Sequence, residues 1–333
     1  MMTLRTIGWI LAVFCFTSSA QAQFVLQETE WVDQLDLSGG LPEKLLSTRS
    51  AVFYDYALSA KELNQMQDYF QRAGIDAVVY FELDMLVAGK DVSRAFADYM
   101  TRREVANLLF VEKNDADYRM TCTTFNGKET IVDKSQKAWS IRNPIFLEMV
   151  KTIYRQASSQ ARTNLLINPE PETGLKVNPI SGKRNEFYAI DAKVDPLAVP
   201  MTGDPAVDAE LEKIFAENYS LKYKLTPAGA NERDLRKQGL LYVVCVVRTR
   251  NAVAKELLGY ATAGTETEFT STAYPDALPQ AKSIGANATV YKFYFKHIDS
   301  QNTFLGTKWD ADETWQQALL NQLRGMKAEL RLN

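Results

Sequence analysis

The sequence predicts an α/β protein (α+β in the broad sense) made of two similar mixed-sheet domains. Three observations carry that expectation. Short β-rich runs alternate with amphipathic stretches of helix length along most of the chain. A segment spread with Pro and Gly, residues 161–185, interrupts the alternation near the middle. On both sides of it the order strand, helix, strand, helix, strand, strand, strand, helix is legible, as an internal duplication would leave it. Two unrelated α/β domains would leave the same order, because such alternation is common.

Residues 1–22 read as a secretory signal. Arg5 supplies the positive charge, Ile7 to Phe16 the apolar run, and Ala20 and Ala22 the small residues before a cut ahead of Gln23. The run is short for a bilayer span and no stop-transfer segment follows, so a periplasmic or secreted protein without a transmembrane segment is expected. Phe14 ahead of Cys15 does not suit lipid attachment. Residues 23–49 are a polar arm broken by Gly39, Gly40 and Pro42.

The first domain, residues 50–160, opens with a strand at Ala51 to Tyr56. Ser59 and Glu62 have capping-box spacing, Leu63, Met66, Phe70 and Ala73 follow at helical period, and Gly74 stands where a helix stops. Ile75 to Leu83 is a second strand. A helix opening at Asp91 shows Val92, Phe96 and Tyr99 on one face, and Ala106 to Val111 is a third strand. Tyr118 to Thr124 alternates as a fourth, Asn126-Gly127 signals a turn, and Glu129 to Val132 is a weaker fifth. After Trp139 and Pro144 a helix carries Phe146, Met149, Val150, Ile153 and Ala157.

Beyond the linker, 161–185, the second domain spans 186–333. Phe187 to Val194 is expected as a strand, Val207 to Phe215 as a helix, Ser220 to Leu225 as a strand, and Asn231 to Gln238 as a short helix stopped by Gly239. Leu240 to Val247 is nearly continuous in apolar residues, the mark of a strand covered on both faces. In Thr289 to His297, Tyr291, Phe293 and Phe295 share a core face. Lys292, Tyr294 and Lys296 share the other, toward solvent or a neighbouring strand. Thr303 to Thr307 follows, then Trp309. A last helix is expected from Asp310 with Glu313 at the capping-box position. Trp139 and Trp309 read as equivalent core plugs. Residues 251–287 form a Thr-rich inserted loop with no core pattern, either a binding element or a surface excursion.

The composition excludes several kinds of chemistry. A net charge of −3 and a pI near 5.5 offer no surface for nucleic acid. His297 is the one histidine, so a histidine-based metal site or a Ser-His-Asp triad lacks parts, and no phosphate-cradling glycine loop occurs. Cys122 and Cys245 either pair as one disulfide or sit as buried thiols.

The candidate site is a set of strand-end carboxylates, Asp55, Glu82, Asp84 and Glu112 (with Asp115 nearby). If their strands are parallel, all of them reach the edge where ligands bind in such sheets. Oxygen ligands of that kind suit Mg²⁺ or Ca²⁺. The alternative is a solvated acidic edge with no cofactor at all. The matching strands of the second domain carry Lys222, Lys224, Arg248 and Arg250, which leaves open an electrostatic contact between the halves. These features favour a non-catalytic binding or scaffolding protein of the cell envelope, partnered by another envelope protein or a ligand. A metal-dependent hydrolase using the carboxylates, and a periplasmic small-molecule receptor with an apolar pocket between domains, are the alternatives.

Overall fold

Two mixed sheets organise the chain, seen in a computed structural model that describes residues 34–276 and 278–332. The expected signal, its cut after Ala22, Cys15 and the first part of the arm lie outside the described residues. The first sheet contains β1 (Arg49–Tyr54), β2 (Asp76–Glu82), β3 (Val105–Lys113), β4 (Tyr118–Thr124) and β5 (Trp139–Asn143), in the order β2-β1-β3-β4-β5. β1 is parallel to β2 and β3, whereas β4 and β5 pair antiparallel. Its helices are α1 (Ala60–Ala73), α2 (Leu83–Leu86), α3 (Lys90–Arg102) and α4 (Phe146–Ala157).

The second sheet contains β6 (Arg184–Asn185), β7 (Leu197–Pro200), β8 (Tyr223–Thr226), β9 (Tyr242–Arg250), β12 (Thr289–His297) and β13 (Thr303–Phe304). β10 (Glu268–Ala273) and β11 (Gln280–Gly285) form a separate antiparallel hairpin. The order is β6-β13-β12-β9-β7-β8, with β7 parallel to both β8 and β9. The helices are α5 (Pro205–Asn218), α6 (Glu232–Lys237), α7 (Asn251–Leu257) and α8 (Trp315–Glu329). The runs β2-β1-β3-β4-β5 and β8-β7-β9-β12-β13 match in order and direction. The agreement is one of topology, which unrelated α/β units also reach.

Local chemistry sets the element ends. Ser59 Oγ accepts the Glu62 amide and the Glu62 carboxylate accepts the Ser59 amide at 2.7 Å, which completes the capping box of α1. Gly74 closes that helix at φ 96°, a conformation only glycine takes without strain.

Strand alternation then assigns the faces. Val52, Tyr80 and Leu109 point to α1 and α4, meeting Met66, Phe70, Met149 and Ile153. Ala51, Phe53, Val79, Phe81 and Phe110 point the other way, onto Val92, Phe96 and Met100 of α3. On the second sheet, Val244, Val246, Phe293 and Phe295 meet α5 and α8. The opposite face brings Val247, Val290, Tyr294 and Trp309 into the same cluster as Phe53 and Phe96. The two sheets therefore share one core, although their strands come from separate halves of the chain.

The linker is irregular but packed. Glu172 O accepts the Tyr80 amide at 3.0 Å, so the linker covers the edge of β2. Among the described residues no helix is long and apolar enough to cross a membrane.

Several expected elements are displaced. Glu129–Val132 is a turn, with Ile131 at φ 65°, and the fifth strand is Trp139–Asn143. Two buried apolar residues, Ile131 and Val132, are too few to impose an alternation. Phe187–Val194 is not a strand but leads through a 3₁₀ turn, Ile190–Lys193; its apolar residues 187, 190 and 194 follow a helical spacing and stay exposed. The strand starts after Pro196, at Leu197.

The last helix starts at Trp315, not at Asp310. Residues before it run extended, Asp312 exchanging both backbone bonds with Tyr291, while Asp310 is buried against Lys292. The segment 251–287 is not a bare loop. Asn251–Leu257 is helical, with Val253, Ala254 and Leu257 in the shared core, and the Thr-rich part forms the β10–β11 hairpin. Trp139 lies under the outer helices and Trp309 in the shared core, so the tryptophans are core residues but not equivalent ones.

The second face of β12 is not solvated either. Lys292 and Lys296 are buried, each against a carboxylate, and Tyr294 packs in the core.

Candidate functional site

Because β1, β2 and β3 are parallel, their carboxyl ends reach a common edge, and the four predicted carboxylates gather there. Asp55 follows β1 and its Oδ1 accepts the Ala57 amide at 2.8 Å, forming an Asp-led turn. Glu82 ends β2, Asp84 lies in α2, and Glu112 is the next-to-last residue of β3.

The end of β9 from the other half projects into this edge. Beyond Ala198, β7 no longer pairs with β9, and the segment after α2 takes its place: the Arg248 amide donates to Ala88 O at 2.8 Å, and Thr249 Oγ1 to Asp84 O at 2.9 Å. The approach is close enough that a Cβ on Gly89 would stand 2.6 Å from Val246 O, so glycine is required there.

Arg250 then spans two carboxylates, its Nη2 donating to Glu82 and its Nε to Asp84, with its guanidinium 4.1 Å from the Tyr56 ring centroid. Glu112 is taken as well. It stands directly opposite Arg119 in the β3–β4 register, and the pair is bidentate at 2.6 and 2.7 Å.

These pairs engage most of the sequence-predicted metal set. Asp55, Glu82, Asp84 and Glu112 do share an edge, but guanidinium groups occupy Glu82, Asp84 and Glu112. Among the described residues no group of three or more His, Cys, Asp or Glu is placed to hold a metal ion. A carboxylate already accepting bidentate N–H bonds has its charge compensated and its lone pairs engaged, so Mg²⁺ or Ca²⁺ would have to displace arginine. Burial dominates the electrostatics of Glu82 and raises its pKa despite Arg250. Burial, with the charges of Glu82 and Asp84, pushes the neighbouring Tyr54 up to about 12.

What remains open is a cleft of about 370 Å³ between the halves, lined by Asp55, Tyr56, Arg119, Arg248, Arg250 and Asn287, among others. Two of its charges have no ionic partner among the described residues. Asp55 caps only its own turn, and Arg248 lies 5.7 Å over the Tyr291 ring with its Nε buried and unpartnered. Arg248 and Arg250 were visible in the sequence as a basic counterpart to the acidic edge, whereas Arg119 and Tyr56 were not. The alternation of β4 marks Arg119 as an outward residue, and only the strand register pairs it with Glu112. Lys222 and Lys224 do not line the cleft; Lys224 donates to Gln238.

The remaining reactive groups are quiet. His297 Nδ1 accepts the Ser300 amide at 3.2 Å and packs edge-on to Tyr242, a turn contact. Cys122 and Cys245 are free thiols, and burial pushes both far above the range in which a thiolate forms. Comparison of the chain with protein-family models and with curated proteins finds no match.

Proposed function

We propose that this chain is an exported, non-catalytic binding protein of the cell envelope whose ligand seats in the cleft between the two sheets. The supporting observation is the division of labour among the charges at the cleft. Glu82, Asp84 and Glu112 are committed to Arg250 and Arg119 and act as mortar, while Asp55 and Arg248 have no ionic partner among the described residues. A ligand bearing both a cationic and an anionic group complements such a pair, and Tyr56 and Asn287 add a ring face and an amide. The export signal read from residues 1–22 supports an envelope address. A hydrolase on these carboxylates would first need Arg250 and Arg119 removed from them.

The experiment is a thermal-shift titration of the chain from Gln23 onward against free amino acids and dipeptides. A ligand at a hundred times its Kd stabilises by about 2.7 kcal/mol. Stabilisation that disappears in Arg248→Ala and in Asp55→Asn is the expected result. Equal stabilisation of the wild type and Arg248→Ala would overturn the reading.

A further inference from the structure

The second sheet has a crevice of its own at the carboxyl end of β7. β8 lies on one side of β7 and β9 on the other, and β7 stops pairing with β9 at Ala198–Val243. The chain leaves β7 toward β8 and leaves the adjacent β9 toward β12, on the opposite side, the arrangement at which open sheets bind ligands. The cavity there, about 250 Å³, lies between the loops after β7 and β8 and the first turn of α3 from the other half.

Its walls are apolar, with Pro200, Met201, Leu235, Val243 and Cys245. Its floor is a closed set of charges. Lys296 Nζ lies 2.5 Å from Asp91 Oδ1 and 2.8 Å from Glu232 Oε1. The Tyr294 hydroxyl donates to Asp91 Oδ2 at 2.9 Å, and Gln301 Nε2 to Glu232 Oε2 at 2.8 Å. An ammonium group has three N–H donors, and these contacts use two of those on Lys296.

We propose that this crevice binds a small uncharged molecule with an apolar body and one hydroxyl or carbonyl oxygen, which accepts the third Lys296 proton. The body matches the walls. The absence of charge follows from the floor: Lys296, Asp91 and Glu232 already neutralise one another with Arg94, so a charged ligand would be buried without a counter-charge. This site is separate from the cleft at Arg248 and does not depend on it.

Benzyl alcohol, benzoate and benzylamine share one apolar body and differ in charge. Their binding to the chain from Gln23 onward is compared by saturation-transfer NMR, in the wild type and in Ala228→Trp. Ala228 is an exposed rim residue, so its replacement narrows the mouth without entering the core. Expected is benzyl alcohol at least tenfold tighter than either charged analogue, and at least tenfold weaker binding of it to Ala228→Trp at unchanged melting temperature. The proposal is overturned by benzoate or benzylamine binding as well as the alcohol, by no binding of the alcohol, or by binding that Ala228→Trp leaves intact. Loss of amino-acid or dipeptide binding in Arg248→Ala reports on the cleft alone.

Discussion

The Lys296 ammonium on β12 and the Asp91 carboxylate on α3 form a buried ion pair that joins the two halves of the chain. Both side chains are at most one-tenth exposed, so solvent screens the contact little. Removing one member strands the other. Lys296→Met is expected to cost about 3–5 kcal/mol of stability by urea denaturation, because Asp91 and Glu232 lose the nearer of the two cations they share and keep only Arg94. The double variant Lys296→Met, Asp91→Leu should cost less than the sum of the two single changes. Additive costs would show that the pair is not coupled.

Arg250 makes another ionic tie between the halves. Its side chain is 12% exposed and serves Glu82 and Asp84 together. Arg250→Ala should therefore destabilise by about 3–5 kcal/mol, and Arg250→Lys should recover only part of it, since a point charge cannot reproduce two directed N–H contacts and the stack on Tyr56. Full recovery by lysine in a denaturation series would mean that charge alone matters there.

Acid stability should follow Glu232. Burial works to raise its pKa, but Lys296, Gln301 and Arg94 outweigh that and hold it at about 2, against an ordinary 4.5. The unfolded chain then binds this proton more tightly, so the contribution of the carboxylate is present above pH 4.5 and is lost as the pH falls toward 2. Glu82, whose pKa is raised, acts with the opposite sign. Urea midpoints measured from pH 7 downward should fall less steeply in Glu232→Gln and more steeply in Glu82→Gln. An unchanged slope in Glu232→Gln counts against this assignment.

Gly89 should not tolerate a side chain. Its φ of 154° and the 2.6 Å approach to Val246 O leave no room for a Cβ against backbone. Gly89→Ala is expected to destabilise by more than about 1 kcal/mol, with amide exchange quickening at Arg248, whose backbone bond depends on the same approach. A neutral substitution would show that α3 can shift away from β9.

The sequence showed elements well where one physical cause determined them. Ser59, Glu62 and Gly74 fix the ends of α1 by local hydrogen bonding and backbone preference, so α1 was readable without the fold. The parallel strand ends were readable too, and with them the gathering of Asp55, Glu82, Asp84 and Glu112. Partners across long sequence distance were harder to see. Arg119 meets Glu112 through strand register, and Lys296 meets Asp91 through the packing of two halves some 200 residues apart. A lysine alternating with aromatics looks like a solvated face until a second sheet covers it. Likewise, the helical spacing of 187, 190 and 194 was outweighed in the sequence by β-rich composition.

The shared core also constrains motion. Receptors with two lobes commonly close around a ligand by swinging about a hinge, and they can do so because each lobe has its own interior. Here Phe53 and Phe96 from one half and Val247 and Tyr294 from the other belong to a single packed cluster. Rotation of one half against the other would tear apolar contacts and expose Lys296 and Asp91 together. If ligands bind as proposed, their admission falls to short segments such as 201–204 between β7 and α5, with the body of the protein held by its shared core.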